Sequence, residues 1–99
     1  MKIFISYSSK NRALVEVLAN DLDAMGHEVW FDKKLTGGHA WWDGILNSIR
    51  DADLFIFALT PQALDSHLCK LEYSYAAALG KRILPVPLET VNVNLLPPP

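Results

Sequence analysis

The chain has 99 residues, which sets the scale at one domain with a real core. With 51% hydrophobic residues, 20% charged residues and a formal net charge of −2, it reads as a folded globular protein without the basic surplus that binding a phosphate backbone requires. Its single cysteine excludes an internal disulfide, and no stretch nears the roughly 18 uninterrupted apolar residues of a membrane span.

The first nine residues show no long apolar segment followed by a small-residue cleavage site. The expectation is a soluble, cytoplasmic domain over residues 1–99, with neither nucleic acid nor membrane as a direct partner.

In chain order, KIFIS (Lys2–Ser6) is β-branched and aromatic and ends in a polar cluster, so it reads as a buried strand. YSSKNR follows, with Ser8 and Ser9 each a credible N-cap. The helix they open runs to about Met25, with Leu14, Leu18, Leu22 and Met25 as its apolar stripe and Gly26 as its stop. HEVWFD (His27–Asp32) reads as a second strand. The glycine-bearing loop KKLTGGHA then leads into WWDGILNSIRDA, a helix with Trp42, Ile45, Leu46 and Ile49 on one side.

DLFIFALT (Asp53–Thr60) lacks polar alternation, as suits a central parallel strand covered on both faces. Pro61 breaks it, and DSHLCKLEYSYAAALGK (Asp65–Lys81) reads as a third helix stopped by glycine. In KRILPVPLE, Pro85 and Pro87 suggest a strand at an edge. TVNVNLLPPP has room for one more short strand.

The alternation of strands and helices predicts an α/β fold with a parallel, doubly wound sheet and right-handed crossovers. Ligands of such sheets sit outside the carboxyl ends of the strands, where strand order reverses. Chemistry should therefore come from Tyr7–Asn11, Asp32–Trp42 and Thr60–Glu72.

Glu72 stands out within those segments. It shares a helical stripe with Leu68, Cys69, Ala76 and Leu79, where an unpaired charge costs several kcal/mol. Either it pairs with Lys70, Lys81 or Arg82 on a solvated edge, or the stripe borders a cleft. Cys69 has no histidine placed to activate it, because His67 points to the other side of the helix. A small thiol lining a pocket is the better reading. His27, His39 and His67 have no metal-ligand spacing with Cys69, so no metal is expected.

The stretches FISYSSKN, GHEVWFDKKLTGGHAW and SHLCKLEYSYAAALGKRILPV together resemble a Toll/interleukin-1 receptor (TIR) domain, closest in style to the prokaryotic members. The resemblance covers Lys2 to about Leu88 and implies a flavodoxin-like sheet of strand order 2-1-3-4-5. It further implies cleavage of NAD⁺ at the nicotinamide–ribose bond, giving nicotinamide and either ADP-ribose or a cyclic isomer, with NAD⁺ as substrate and no cofactor. In NAD⁺-cleaving members the essential glutamate follows a serine and a cysteine or other small residue at the spacing that Ser66, Cys69 and Glu72 show here.

Glu72 is then the catalytic candidate, with Ser66 and Cys69 beside it. Ser8 and Ser9 can meet phosphate oxygens at a helix N-terminus or simply cap it. Thr36 and Trp42 are the candidates of the loop over 32–42, Trp42 stacking on a base or serving as core. By the resemblance that loop also contacts the next subunit in assemblies switched on by a sensor domain, in the setting of antiphage defence.

Two positions depart from the family pattern: Asn11 stands where an aspartate is usual, and Gly37–Gly38 where Pro-Gly is common. Family members also continue through another helix and strand. The competing reading is a non-catalytic module that signals by like-with-like contacts. A more distant one is another flavodoxin-like nucleotide protein, such as a deoxyribosyltransferase or an FMN carrier. A phosphoreceiver fits poorly, since Tyr7–Ser9 and Thr60 stand where it needs acids.

Overall fold

The computed structural model describes residues 1–31 and 38–88, and for 38–41 the helical backbone alone. Thr36, residues 32–37 of the expected 32–42 loop and the tail after Leu88 lie outside the described residues; from Gly38 the stretch is helical, so Trp42 belongs to a helix and not to the loop.

Strands β1 (Lys2–Ser6), β2 (Glu28–Trp30), β3 (Leu54–Leu59) and β4 (Ile83–Pro87) form one parallel sheet in the order β2-β1-β3-β4. The doubly wound α/β fold expected from the alternation is therefore present. Helix α1 (Arg12–Ala24) follows a single 3₁₀ turn at Ser9–Asn11, and α2 (Gly38–Asp51) connects β2 to β3. A short α3 (Pro61–Asp65) and a longer α4 (His67–Ala78) connect β3 to β4.

Side-chain alternation along the strands divides the core in two. Ile3, Ile5 and Tyr7 of the first strand and its turn join Ile56 and Ala58 of β3 under Val15 and Ala19 of α1. Phe4, Phe55, Phe57 and Leu59 face the other way, under Ile45 and Ile49 of α2 and Cys69 and Ala76 of α4. Across that second face Trp30, Phe4 and Phe55 stack in a row, with centroids 5.0 and 5.4 Å apart and both pairs tilted by 12°.

Two sequence expectations shift. The apolar stripe of α1 centres on Val15 and Ala19, while Leu14 and Met25 are 43% and 69% exposed. At about 100° per residue, Leu22 lies close to Val15 around the helix and Leu18 somewhat further, but Leu14 lies about a quarter-turn away. The third helix begins at His67, not Asp65. Ser66 leaves helical geometry at φ −76°, ψ 120°, and its side chain accepts from the Cys69 N–H at 3.2 Å, separating α3 from α4.

The prolines of β4 have a directional explanation. Arg82 O accepts from Phe55 N, and Leu88 N donates to Leu59 O, at 2.9 and 3.0 Å. Residues 82, 84, 86 and 88 therefore turn their backbone groups toward β3, and 83, 85 and 87 turn theirs away. Pro85 and Pro87 occupy outward positions, where a missing N–H removes no bond to β3.

Candidate active site

The order of the sheet puts its switch point between β1 and β3, the two central strands. Buried polarity gathers at their carboxyl ends. Among the described residues the buried polar side chains are Ser6, Ser8, Asn11, Thr60 and Glu72. Ser6 ends β1, Ser8 and Asn11 lie in the turn after it, and Thr60 follows β3 directly.

Glu72 reaches this group from α4. Ser6 stands in the alternating column that begins with Phe4, on the face that α2 and α4 cover, and Glu72 stands in the buried column of Cys69 and Ala76. Each is the buried polar residue of its column, and the two meet: Ser6 Oγ donates to Glu72 Oε1 at 2.7 Å, with both residues 0% exposed. A carboxylate removed from water is stabilised by such a bond at roughly 1.5–3 kcal/mol.

Neither sequence alternative describes this arrangement: at 0% exposure Glu72 lies on no solvated edge and borders no open cleft in the conformation described. Lys81 instead donates its Nζ to Arg50 O and Ala52 O, at 2.6 and 2.8 Å, covering carbonyls at the end of α2.

A second set of bonds ties the two strand ends together. Thr60 Oγ1 donates to Asn11 Oδ1 at 2.7 Å and accepts from Ala63 N at 3.0 Å, capping α3. Asn11 Nδ2 reaches Gln62 Oε1 at 3.4 Å. Asn11, where the family pattern has aspartate, thus uses its carbonyl oxygen as an acceptor that an aspartate would also supply. Thr60→Val is expected to lower the unfolding free energy by about 2 kcal/mol in urea titration, because it removes a buried donor and a helix cap together. A change below about 0.5 kcal/mol would mean that this clasp does not persist in solution.

The remaining candidates separate by role. Ser8 is buried and accepts from Lys10 N at 3.3 Å as the cap of the 3₁₀ turn, while Ser9 is exposed. Ser66 caps α4, Cys69 is buried, and Trp42 is partly buried against the core. Ser8 and Ser66 line an open groove of about 350 Å³ with Lys10, Pro61, Gln62 and Asp65. Glu72 does not line this groove. Sequence reasoning passed over Ser6 and Thr60. A serine closing the apolar run Ile3–Ile5 reads as its end, and only the pairing of β1 with β3 shows which face it takes.

The TIR-domain family model matches residues 3–98. The chain belongs to the TIR-domain family. This TIR domain is 36% identical over 70 residues to the NAD(+) hydrolase sarm1 of Drosophila melanogaster. That match covers 70% of the chain but only 5% of the relative, so the chain corresponds to a small part of that protein. Among solved structures, the TIR domain of the Toll-related receptor TRR-2 from Hydra magnipapillata superposes with a TM-score of 0.76 at 18% identity, covering 92% of this chain and 73% of that one. The Clostridium botulinum CMP N-glycosidase BcmB superposes with a TM-score of 0.71 at 22% identity, covering 88% and 71%. At these identities the two structures establish the shared fold alone. Among the described residues no helix is long and apolar enough to cross a membrane.

Proposed function

We propose that this TIR domain is an NAD⁺ glycohydrolase in which Glu72 is the catalytic carboxylate. One observation carries the reading: an acid buried at the carboxyl end of the central strands and held there by the Ser6 hydroxyl. A fold with no use for that charge would be expected to continue the apolar column at less cost. The similarity to an NAD(+) hydrolase over 70 residues supports the same reading.

The chemistry suits a single carboxylate. When the C1′–N bond of NAD⁺ breaks, its electron pair leaves with the pyridinium nitrogen, and nicotinamide departs neutral without protonation. Positive charge remains on the ribose as an oxocarbenium-like centre. Glu72 stabilises that charge and accepts hydrogen bonds from ribose hydroxyls. Water then attacks C1′ and loses a proton, giving ADP-ribose; attack by an adenine nitrogen gives a cyclic isomer. Ser8, Ser9, Ser66, Cys69, Thr36 and Trp42 are the proposed substrate contacts around it.

In the conformation described, Ser6 and Glu72 have no exposed surface, so a ribose reaches them only when the elements above separate. Self-assembly is the proposed trigger, because contacts with other TIR domains shift the equilibrium by favouring the open state. A sensor domain would drive that assembly in prokaryotic antiphage defence, a setting that rests on the family resemblance. The second reading, a non-catalytic interaction module, draws on the closure of the site in this conformation, while the place of the acid at the strand ends speaks against it.

The test is incubation of the protein with NAD⁺, dispersed and under forced clustering, with chromatography for nicotinamide. Release on clustering is expected. No release by the clustered protein would favour the interaction module.

A further inference from the structure

We propose that Ser6 is the positioning residue for Glu72, fixing the carboxylate for catalysis from the last residue of β1. The inference rests on the reading of Glu72 as the catalytic group.

Three observations carry it. The Ser6–Glu72 bond is 2.7 Å long and joins two residues that are each 0% exposed, so in the closed conformation described water does not compete for either group and the carboxylate is placed before the site opens. Ser6 belongs to a central strand and pairs in register with Phe57 of β3, so its backbone is held by the sheet. The bond also spans 66 residues of sequence, tying α4 to β1. An acid on a helix is thereby referenced to the most constrained element of the fold, the arrangement that holds a reacting group within fractions of an ångström.

A serine with a purely structural task would not need this partner. An alanine there would fit the apolar column of Phe4 and leave no buried hydroxyl to satisfy. The hydroxyl does what an alanine cannot: it donates to the ionised form of the carboxylate and favours it over the protonated form. Loss of the hydroxyl should therefore move the lower-pH limb of activity upward. The carboxylate must be ionised to face the ribose cation, and without its donor it takes up a proton at a higher pH.

The experiment uses the full-length protein under clustering, comparing wild type, Ser6→Ala, Ser6→Thr and Glu72→Gln. For Ser6→Ala, kcat for nicotinamide release is expected to fall about 10- to 100-fold with KM changed less than about threefold. The acid limb of its pH–rate profile is expected to move to higher pH, because this donor favours the ionised carboxylate. Ser6→Thr keeps the hydroxyl and should restore the wild-type limb even where the added methyl lowers stability. If Ser6→Ala does not fold, Ser6→Cys supplies a weaker donor of similar size and must displace the limb in the same direction.

An unmoved acid limb in a folded Ser6→Ala or Ser6→Cys variant overturns the proposal, as does a loss of kcat that merely tracks lost stability. Those outcomes leave the catalytic reading standing if Glu72→Gln is inactive. Full turnover by Glu72→Gln removes that reading instead, and Ser6 with it.

Discussion

Glu72→Gln is expected to lose activity without losing the fold. The glutamine keeps an oxygen that can accept from Ser6 Oγ, and it relieves the cost of holding a carboxylate at 0% exposure. Its unfolding free energy should lie within about 1 kcal/mol of wild type or above it, since replacing a buried charge by a neutral isostere is often neutral or stabilising. Nicotinamide release should nevertheless fall at least about 100-fold, the loss that follows removal of one group facing transition-state charge. The two readouts together separate the roles. A structural Glu72 would show the opposite pattern, with nicotinamide release retained and the unfolding free energy lowered by about 1.5–3 kcal/mol as the buried hydrogen bond to the charged group is weakened.

Phe4→Ala is expected to have the largest effect on stability. Phe4 is 0% exposed and sits between Trp30 and Phe55, so its removal unstacks both neighbours across three strands. Truncation of a buried phenylalanine costs about 3–5 kcal/mol, from lost transfer energy and the cavity left behind. Against a total of about 5–15 kcal/mol for a domain, that is about a fifth of the stability or more. Phe4→Leu, which refills much of the space, should cost about half as much. Urea midpoints with unchanged slope would report these losses as stability. A loss below about 1 kcal/mol for Phe4→Ala would show that the aromatic row is not packed in solution.

Much of this arrangement was legible in the residues. KIFIS defined β1 to its exact ends, and the unbroken run of β3 pointed to a strand covered on both faces. Glu72 stood out because helical periodicity placed an acid among Leu68, Cys69, Ala76 and Leu79; Cys69, Glu72 and Ala76 are buried, Leu68 is half-buried and Leu79 is exposed. The partner of that acid was not legible. Ser6 lies 66 residues away, and its role depends on which face the alternation of β1 presents to α4. The Asn11–Thr60 bond was hidden for the same reason, being a product of strand order and not of local spacing. In α1 the leucine spacing located Leu18 and Leu22, which pack beside Val15 and Ala19, but not the exposed Leu14 and Met25, because residues four apart drift around the helix.

The most direct measurement is nicotinamide released from NAD⁺ by the clustered protein, wild type and Glu72→Gln side by side, with both shown to be folded. A buried carboxylate that performs the chemistry predicts steady release by the first and less than about one hundredth of it by the second. Equal release by the two would contradict the assignment of Glu72 and send the chemistry to other residues.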